Sequence, residues 1–116
     1  MKNTYQKGDV VFVKLGDPPN EVVGHEQGYK RPCLVLSNFN HLKLATIAPC
    51  TSKNKPYLAV TSVAVSAGTG GLTEDSMIML HQVRSVSHDR IVNKIGVMPG
   101  EIMDKIDTVL VDIFDL

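Results

Sequence analysis

The sequence predicts a mainly β domain, a small antiparallel barrel with one helix packed against it, and three observations lead to this fold class. Short β-branched and aromatic runs recur along the chain, separated by turn residues. The hydrophobic period changes to that of a helix only near Pro99. With 116 residues the chain is long enough for one core but not two, so residues 1–116 are expected to form a single domain.

The strands follow in order from these runs. Residues 9–15, "DVVFVKL", form the first, and a long loop of glycine, proline and polar residues follows over 16–31. Pro32 opens the second strand, 32–37, where its missing N–H breaks no ladder hydrogen bond. Further strands are predicted at 44–50, 57–65 and 76–80, with a last short one near 93–97. Residues 85–91, "SVSHDRI", are interpreted as one short helical turn.

The C-terminal segment, 99–116, is predicted to be an amphipathic helix. Pro99 suits the first helical turn, and Glu101 lies near the positive end of the helix dipole. The apolar residues that repeat at helical spacing are Ile102, Ile106, Val109, Leu110 and Ile113. They form one stripe, which we expect to pack against the sheet.

The charge of the chain is balanced overall but unevenly distributed. Formal net charge is zero, yet residues 1–60 hold eight Lys and Arg against four acids, and the remainder holds four against eight. This asymmetry favours a surface that faces a polyanion, although charged residues also simply solvate a surface. No apolar run reaches the roughly 20 residues of a membrane span, and the start has no apolar signal region. We therefore expect a cytoplasmic protein without a membrane partner.

Two cysteines, Cys33 and Cys50, lie in predicted neighbouring strands. A hairpin that turns at 40–43 places them close to opposite each other, so a disulfide is conceivable. A cytosolic chain stays reduced, and buried free cysteines behave as small hydrophobic residues. We interpret both as buried thiols, and their pairing is left open.

Side chains suited to phosphate lie at the ends of the second and third strands. If the hairpin turns about residues 40–43, opposing positions sum to about 83, so Arg31 and Ser52 fall at the same sheet end beside Thr51. An arginine fork matches phosphate oxygens, and hydroxyls add short donors. The polar residues that would join them are His25, Glu26 and Gln27 from the long loop and Lys30, Lys53 and Lys55 from the flanks. The alternative is a polar rim at which Thr51 and Ser52 merely end a strand.

Metal and cofactor sites are not predicted. The four histidines show no ligand spacing, and the "SAGTGG" segment lacks the lysine and the following helix of a phosphate-binding loop. In the long loop, Tyr29 either stacks on a base or packs against the protein. By residue type alone, Asn38 and Gln82 are hydrogen-bonding residues of a turn and a strand end.

Four segments together resemble a known family. "KGDVVFVKL", "GHEQGYKRPCLVLSN", "IAPCTSK" and "GLTEDSMIMLHQVRSVSHDRI" follow one another in register from about residue 7 to residue 92. Any one of these motifs is weak, but all four in order resemble the MazF/PemK (Kid-type) toxin endoribonucleases of type II toxin–antitoxin systems. The C-terminal helix is compatible with that family and less diagnostic.

The resemblance implies a fold, an activity and partners. The fold would be an SH3-like barrel of the CcdB/PemK type, assembled as a homodimer. The activity would be sequence-specific, metal-independent cleavage of single-stranded RNA to 2′,3′-cyclic phosphate and 5′-hydroxyl ends, which inhibits translation and growth. The natural partner would be a cognate antitoxin whose acidic, extended C-terminal segment covers the RNA groove.

The resemblance also implies roles for individual residues. The arginine of its "RP" motif falls on Arg31 and its catalytic threonine on Thr51, which would be the two catalytic residues. The supporting residues would be His25, Glu26, Gln27, Ser52 and Gln82. The RNA-binding residues would be Tyr29, Lys30, Asn38, Lys53, Lys55 and Arg84.

Two matters stay open at this level. The general base is unassigned: arginine holds its proton too tightly, while His25 and then Glu26 suit the role better by their usual pKa. The function also has rivals, namely a non-catalytic gyrase poison of the same fold, resembling CcdB, and an RNA-binding barrel that does not cleave. The gyrase poison acts through a terminal tryptophan, and this chain has no Trp.

Overall fold

The computed structural model describes residues 4–16, 30–53 and 55–116, and the fold there consists of an antiparallel sheet followed by one helix. The strands are β1 (Asp9–Lys14), β2 (Lys30–Phe39), β3 (Leu44–Thr51), β4 (Ser62–Val65), β5 (Ser76–Met79), β6 (Arg84–Ser87) and β7 (Ile91–Val97). The helix is α1 (Gly100–Phe114). Short 3₁₀ turns lie at Asn40–Leu42, Pro56–Thr61, Thr69–Gly71, Leu80–Gln82 and His88–Arg90. The predicted mainly β class with a C-terminal helix is confirmed.

The sheet has the order β4-β5-β3-β2-β1-β7, and β6 pairs with β3. One edge of β3 is shared: its first half pairs with β6, and its end, at Cys50 and Thr51, pairs with β5. Register shifts interrupt the pairing of β1 with β7 and of β2 with β3, which is where bulges bend and twist strands. Within the described residues no pairing joins β7 to β4 or β6, so the sheet is barrel-like without being closed by hydrogen bonds.

Alternating side chains of the central strands supply two apolar clusters, one on each face of the sheet. Val10 and Leu34 belong to the cluster on which α1 packs, whereas their neighbours Val11 and Cys33 belong to the other. The helix inserts Ile106, which is fully buried, into the first cluster. The other predicted stripe residues, Ile102, Val109, Leu110 and Ile113, pack against it while partly buried. The amphipathic helix predicted from the sequence is therefore confirmed.

The predicted fourth strand, 57–65, was wrong over its first half. Pro56 begins a 3₁₀ turn that runs to Thr61, and only Ser62–Val65 is a strand. Proline fixes φ and has no N–H for a ladder, while Leu58 N–H donates to the carbonyl of Lys55 across the turn. Tyr57 and Val60 are apolar yet exposed, Val60 at 87%. An apolar run thus looked like a strand without being part of the core.

Two other segments differ from the predicted boundaries. β2 is longer than 32–37 at both ends, so Lys30 and Arg31 belong to the strand and not to the loop. The segment predicted as one helical turn begins as β6 and becomes a 3₁₀ turn only at His88–Arg90. There the hydroxyl of Ser87 accepts from the N–H of Asp89, a side-chain cap that ends the strand.

Candidate RNA-binding and catalytic site

Arg31 is placed by the pairing of β1 with β2. It lies opposite Val13, and Pro32 lies opposite Phe12, so the arginine sits next to a strand position with a fixed φ. Its side chain is partly buried. The thiol of Cys33, two residues along β2, donates to the Arg31 carbonyl at 3.6 Å. A paired strand therefore holds the arginine backbone, and Arg31 lines a cavity at this end of the strand.

The charges of Arg31 and Arg84 both lower the pKa of one buried thiol, that of Cys33. Burial raises the pKa of Cys33 well above its ordinary value, and the nearby Cys50 raises that pKa further. The guanidinium charges of Arg31 and Arg84 oppose this shift, so both cations lie near Cys33. Arg84 is fixed by an Nη1 hydrogen bond of 3.4 Å to the carbonyl of Leu15. Two of the predicted site residues thus contribute positive charge to the surroundings of Cys33.

Thr51 ends β3 where the strand has turned to pair with β5. It lies opposite Met77 and is 3% exposed. Its hydroxyl oxygen accepts from the N–H of Lys53 at 3.2 Å. A threonine oxygen keeps a second lone pair and its own proton in such an arrangement. The side chain is therefore oriented by the turn after β3 while its O–H stays available as a donor.

The register of β2 and β3 differs from the predicted one by a single residue. Near the turn, pairs such as Asn38 with Ala45 sum to 83, as predicted. A register shift between Val35 and Ser37 lowers the sum of the paired residue numbers by one. Beyond it, Cys33 lies opposite Pro49, and their numbers sum to 82. Continued by two residues, that register puts position 51, and not 52, across from Arg31. The bulge thus favours the Arg31–Thr51 combination over the Arg31–Ser52 pair predicted from a uniform hairpin.

Two adjoining cavities lie at this end of the sheet. Arg31, Lys30 and Ser52 line one cavity of about 390 Å³. Thr51, Lys53 and Ser52 line the other, of about 380 Å³. The two cavities share Ser52 and Ser76. The structure therefore brings Arg31, Lys30, Thr51, Ser52 and Lys53 to one composite surface.

Among the residues of the Arg31 cavity that sequence reasoning missed are Phe12 and Glu74. Phe12 looked like an ordinary strand residue, and only its pairing with Pro32 reveals that it lines the cavity. Glu74 lies just before β5, in one of the four segments that resemble the family, and was not predicted to have a chemical role. The cations near Glu74 in the cavity, Lys30 and Arg31, are distant from it in sequence, so no local pattern indicated this position.

The remaining predicted residues are spread more widely. Gln82 ends the 3₁₀ turn Leu80–Gln82 and is partly buried, and Lys55 precedes the turn at Pro56 and lines neither cavity. Asn38 lies toward the other end of β2, seven residues and roughly 23 Å from Arg31 at strand spacing. The predictions for His25, Glu26, Gln27 and Tyr29 lie outside the described residues.

The cysteines remain free and buried. Cys33 lies opposite Pro49 and not opposite Cys50, and the two cysteines belong to the clusters on different faces of the sheet. Burial raises the pKa of the Cys50 thiol to about 12. They are therefore packing residues, as interpreted from the sequence.

Neither a metal centre nor a membrane helix is found in the part of the chain that the structure describes. Over 4–16, 30–53 and 55–116, His, Cys, Asp and Glu side chains form no group of three or more that could hold a metal ion. Across the same residues, no helix is both long enough and apolar enough to cross a bilayer.

Comparison with known proteins agrees with this architecture. Residues 6–114 match the family described as PemK-like, MazF-like toxins of type II toxin–antitoxin systems. The chain is 35% identical over 108 residues to endoribonuclease EndoA of Bacillus subtilis, an alignment that covers 90% of each protein. Its fold is similar to MazF from Deinococcus radiodurans, with a TM-score of 0.77 and 24% identity over 99% of this chain and 100% of that one.

A further structural neighbour was solved with a partner. This is a mycobacterial endoribonuclease in complex with its cognate antitoxin, with a TM-score of 0.70 and 20% identity over 99% of this chain and 97% of that one. The family match spans nearly the whole chain, and the 35% identical relative is aligned over almost its full length. On this evidence the chain belongs to the PemK-like, MazF-like toxins of type II toxin–antitoxin systems.

Proposed function

We propose that this toxin is an endoribonuclease that cleaves single-stranded RNA, with Arg31 and Thr51 as its catalytic residues. The observation that carries the proposal is the composite surface at the ends of β2 and β3, where Arg31 and Thr51 line adjoining cavities that share Ser52. Relatives named as endoribonucleases support the same activity. Catalytic donors held at strand ends are rigid, which is what stabilisation of a charged transition state requires.

The reaction would be an internal transfer at phosphorus. The ribose 2′-oxygen forms a bond to the adjacent phosphorus, the bond from phosphorus to the 5′-oxygen breaks, and the products are a 2′,3′-cyclic phosphate and a 5′-hydroxyl. A base takes the 2′-proton, and an acid supplies a proton to the 5′-oxygen. Negative charge builds on the phosphorane oxygens between these steps. The Arg31 fork and the Thr51 O–H are the donors that would meet this charge.

The general base remains a prediction on residues outside the described part of the chain. His25 suits the role because its ordinary pKa is near 6.5, and Glu26 is the next candidate. In His25→Ala the pH–rate profile of cleavage should lose its limb near that pKa. A profile that keeps the shape of the unmodified protein would assign His25 to shaping the loop instead.

Cationic side chains would hold the RNA backbone around the reacting phosphate. Lys30 and Lys53 line the two cavities and are exposed, and Arg84, like Arg31, contributes positive charge around Cys33. Lys55 and the supporting Gln82 would act farther along the surface. Such contacts release counterions, so RNA affinity should fall steeply as salt is raised.

The same cationic surface would bind the antitoxin. An extended acidic segment carries the same sign of charge as an RNA backbone and would compete for Lys30, Lys53 and Arg84. The antitoxin complex of the mycobacterial neighbour supports a partner of this kind. Competition between an acidic peptide and a single-stranded oligonucleotide would therefore be mutual and sensitive to salt.

A second copy of the chain would cover an exposed apolar surface away from these cations. The 3₁₀ turn Pro56–Thr61 contacts α1, and the exposed apolar residues there are Tyr57, Val60, Val111, Phe114 and Leu116. Asp112 and Asp115 in the same region disfavour an acidic partner. Val60→Asp should shift the sedimentation of the protein from dimer toward monomer.

Incubation of the purified toxin with mixed-sequence single-stranded RNA in EDTA tests the activity directly. We expect cleavage with 2′,3′-cyclic phosphate ends that is lost in Arg31→Ala and kept in Lys105→Ala, which removes an exposed charge from α1. Absence of cleavage in every RNA tested, with binding retained, would replace the nuclease by an RNA-binding barrel. Equal loss in both variants would remove Arg31 from the catalytic role.

A further inference from the structure

We propose that the cavity beside Arg31 is a nucleobase pocket in which Phe12 and Pro32 form the wall and Glu74 selects a guanine next to the scissile phosphate. The inference rests on the proposed RNA cleavage and adds to it the residues that choose the cleavage sequence. The cavity, of about 390 Å³, is within the size range of small-ligand sites and suits a single base.

The apolar wall comes from two strands in register. Phe12 of β1 lies directly opposite Pro32 of β2, and both are partly buried and line the cavity. An aromatic ring and a proline ring are flat apolar surfaces, and bases of single-stranded RNA stack on such surfaces at roughly 1–3 kcal/mol per aromatic contact. Stacking of this kind accepts every base, so it gives affinity without selection.

The cavity also contains an acidic residue, Glu74, whose presence is not accounted for by stacking on Phe12 and Pro32. Its side chain is exposed, it lines the cavity with Lys30 and Arg31, and within residues 4–16, 30–53 and 55–116 its carboxylate has no hydrogen bond or ion pair. The adjacent Asp75 differs, since its Oδ1 accepts from the N–H of Ala67 at 2.8 Å and so fixes the turn before β5. Glu74 therefore has no role in the described fold that would account for an acid at this position.

An acid in a site for a polyanion is unfavourable unless it receives hydrogen bonds from the ligand. An ionised carboxylate only accepts, through two oxygens. Guanine presents two parallel donors on its Watson–Crick edge, N1–H and N2–H₂, which match both oxygens. Cytosine and adenine offer one amino group each, and uracil places carbonyl oxygens on both sides of its single N–H. The order of preference at this pocket is thus guanine first and uracil last.

The neighbouring cations fix where the pocket lies along the RNA. Lys30 and Arg31 precede Pro32 in the same strand and line the same cavity as the wall and the carboxylate. Because Arg31 directly precedes Pro32, a base against Phe12 and Pro32 would belong to a nucleotide next to the phosphate that Arg31 holds. The selected base is therefore immediately beside the cut.

The test is cleavage of a random-sequence RNA library, with both product ends sequenced, by the unmodified toxin, Glu74→Gln and Glu101→Gln. Glu101 gives a matched control because it is an exposed glutamate on α1, and it lines neither cavity. We expect a preference for guanine over uracil of about tenfold to hundredfold at one position beside the cut. The guanine-to-uracil ratio should fall toward one in Glu74→Gln, because an amide both donates and accepts and so can pair with either base. The ratio should be unchanged in Glu101→Gln.

A second readout separates this inference from the cleavage reaction itself. Fluorescent 2′-O-methyl oligonucleotides cannot react, and pairs that differ by one guanine or uracil report base selection through binding alone. Selective binding that Glu74→Gln abolishes, in a toxin that cuts nothing, would support the pocket and overturn the nuclease. Cleavage whose base preferences are the same in Glu74→Gln, or are weakened equally at all positions, would overturn the pocket and leave the nuclease standing.

Discussion

Cys33 of β2 lies directly opposite Pro49 of β3. Arg31 is two residues from Cys33 on β2, and Thr51 is two residues from Pro49 on β3, both toward the same end of the sheet. The relationship depends on the register shift between Val35 and Ser37, which moves the strand ends by one residue relative to the turn. Both strands are paired on their other edges as well, β2 with β1 and β3 with β5. The backbone on which a phosphate would be held is therefore rigid from both sides.

Removal of the Thr51 hydroxyl should reduce cleavage far more than stability. Thr51→Val keeps the shape of a side chain that is 3% exposed but deletes the oxygen that accepts from Lys53 N–H. Loss of a transition-state donor lowers kcat by about 10²–10³-fold. Loss of one neutral hydrogen bond costs about 1 kcal/mol of unfolding free energy. Single-turnover cleavage and urea denaturation measure the two effects separately.

Thr108→Val is the matched control for Thr51. Its hydroxyl donates to the Asp104 carbonyl on the exposed side of α1, and it should leave the cleavage rate unchanged. If Thr51→Val cleaves as fast as Thr108→Val, then Thr51 is a strand-ending residue of the polar rim and not a catalytic donor.

Parts of this architecture follow from the sequence because local patterns decide them. The stripe of α1 and the β-branched and aromatic run of β1 are strong local signals, and both elements form where they were predicted. The run after Pro56 carried the same apolar signal and gave a 3₁₀ turn, because burial and not composition separates a strand from an exposed segment. Local sequence does not contain that information.

The candidate site, like the fold, was predicted from the sequence only in part. Arg31 and the hydroxyls at the end of β3 were predicted because a hairpin brings strand ends together whatever its fine register. The one-residue shift at Val35 was not predictable, since a bulge depends on how both strands pack. The placement of Phe12 and Glu74 in the Arg31 cavity depends on β1 and the approach to β5, which are distant in sequence.

The buried thiols should make stability depend on pH in the alkaline range. Burial raises the pKa of Cys50 from 9.0 to about 12, so the folded chain keeps a proton that the unfolded chain releases. Stabilisation by the protonated thiol is complete below pH 9 and is lost as pH rises toward 12. The unfolding free energy of the unmodified protein should therefore fall more steeply than that of Cys50→Ala between pH 8.5 and 10.5, roughly within that window.

Urea denaturation of both proteins at each pH gives the comparison, with other titrating groups cancelling in the difference. Cys33 has its pKa raised in the same direction and is present in both proteins. A difference between the two proteins that stays constant with pH would mean that the Cys50 thiol is accessible to water in the folded state.

The anchoring of α1 should depend mainly on one side chain. Ile106 is fully buried in the cluster formed by Val10, Leu34 and their neighbours, whereas the remaining apolar residues of the helix are partly exposed. Ile106→Ala should lower the unfolding free energy by about 2–5 kcal/mol. Lys105→Ala, at an exposed position of the same helix, should change it by less than about 0.5 kcal/mol, because little of that side chain leaves water on folding. Equal effects in thermal or urea denaturation would contradict the packing described.

Asn38, at the end of β2 away from Arg31, should stabilise the fold through its side-chain hydrogen bonds. Its amide nitrogen donates to Oδ1 of Asn40 at 2.8 Å, so its oxygen faces Nε2 of His88, 2.7 Å away, and that ring nitrogen is the donor. The His88 ring also packs edge-on against Tyr5, with the ring centroids 5.4 Å apart. Asn38→Ala breaks both hydrogen bonds and should cost about 1–2 kcal/mol of unfolding free energy. If instead urea denaturation is unchanged and RNA affinity falls, the residue contacts RNA, as the family resemblance implied, and the network with His88 contributes little.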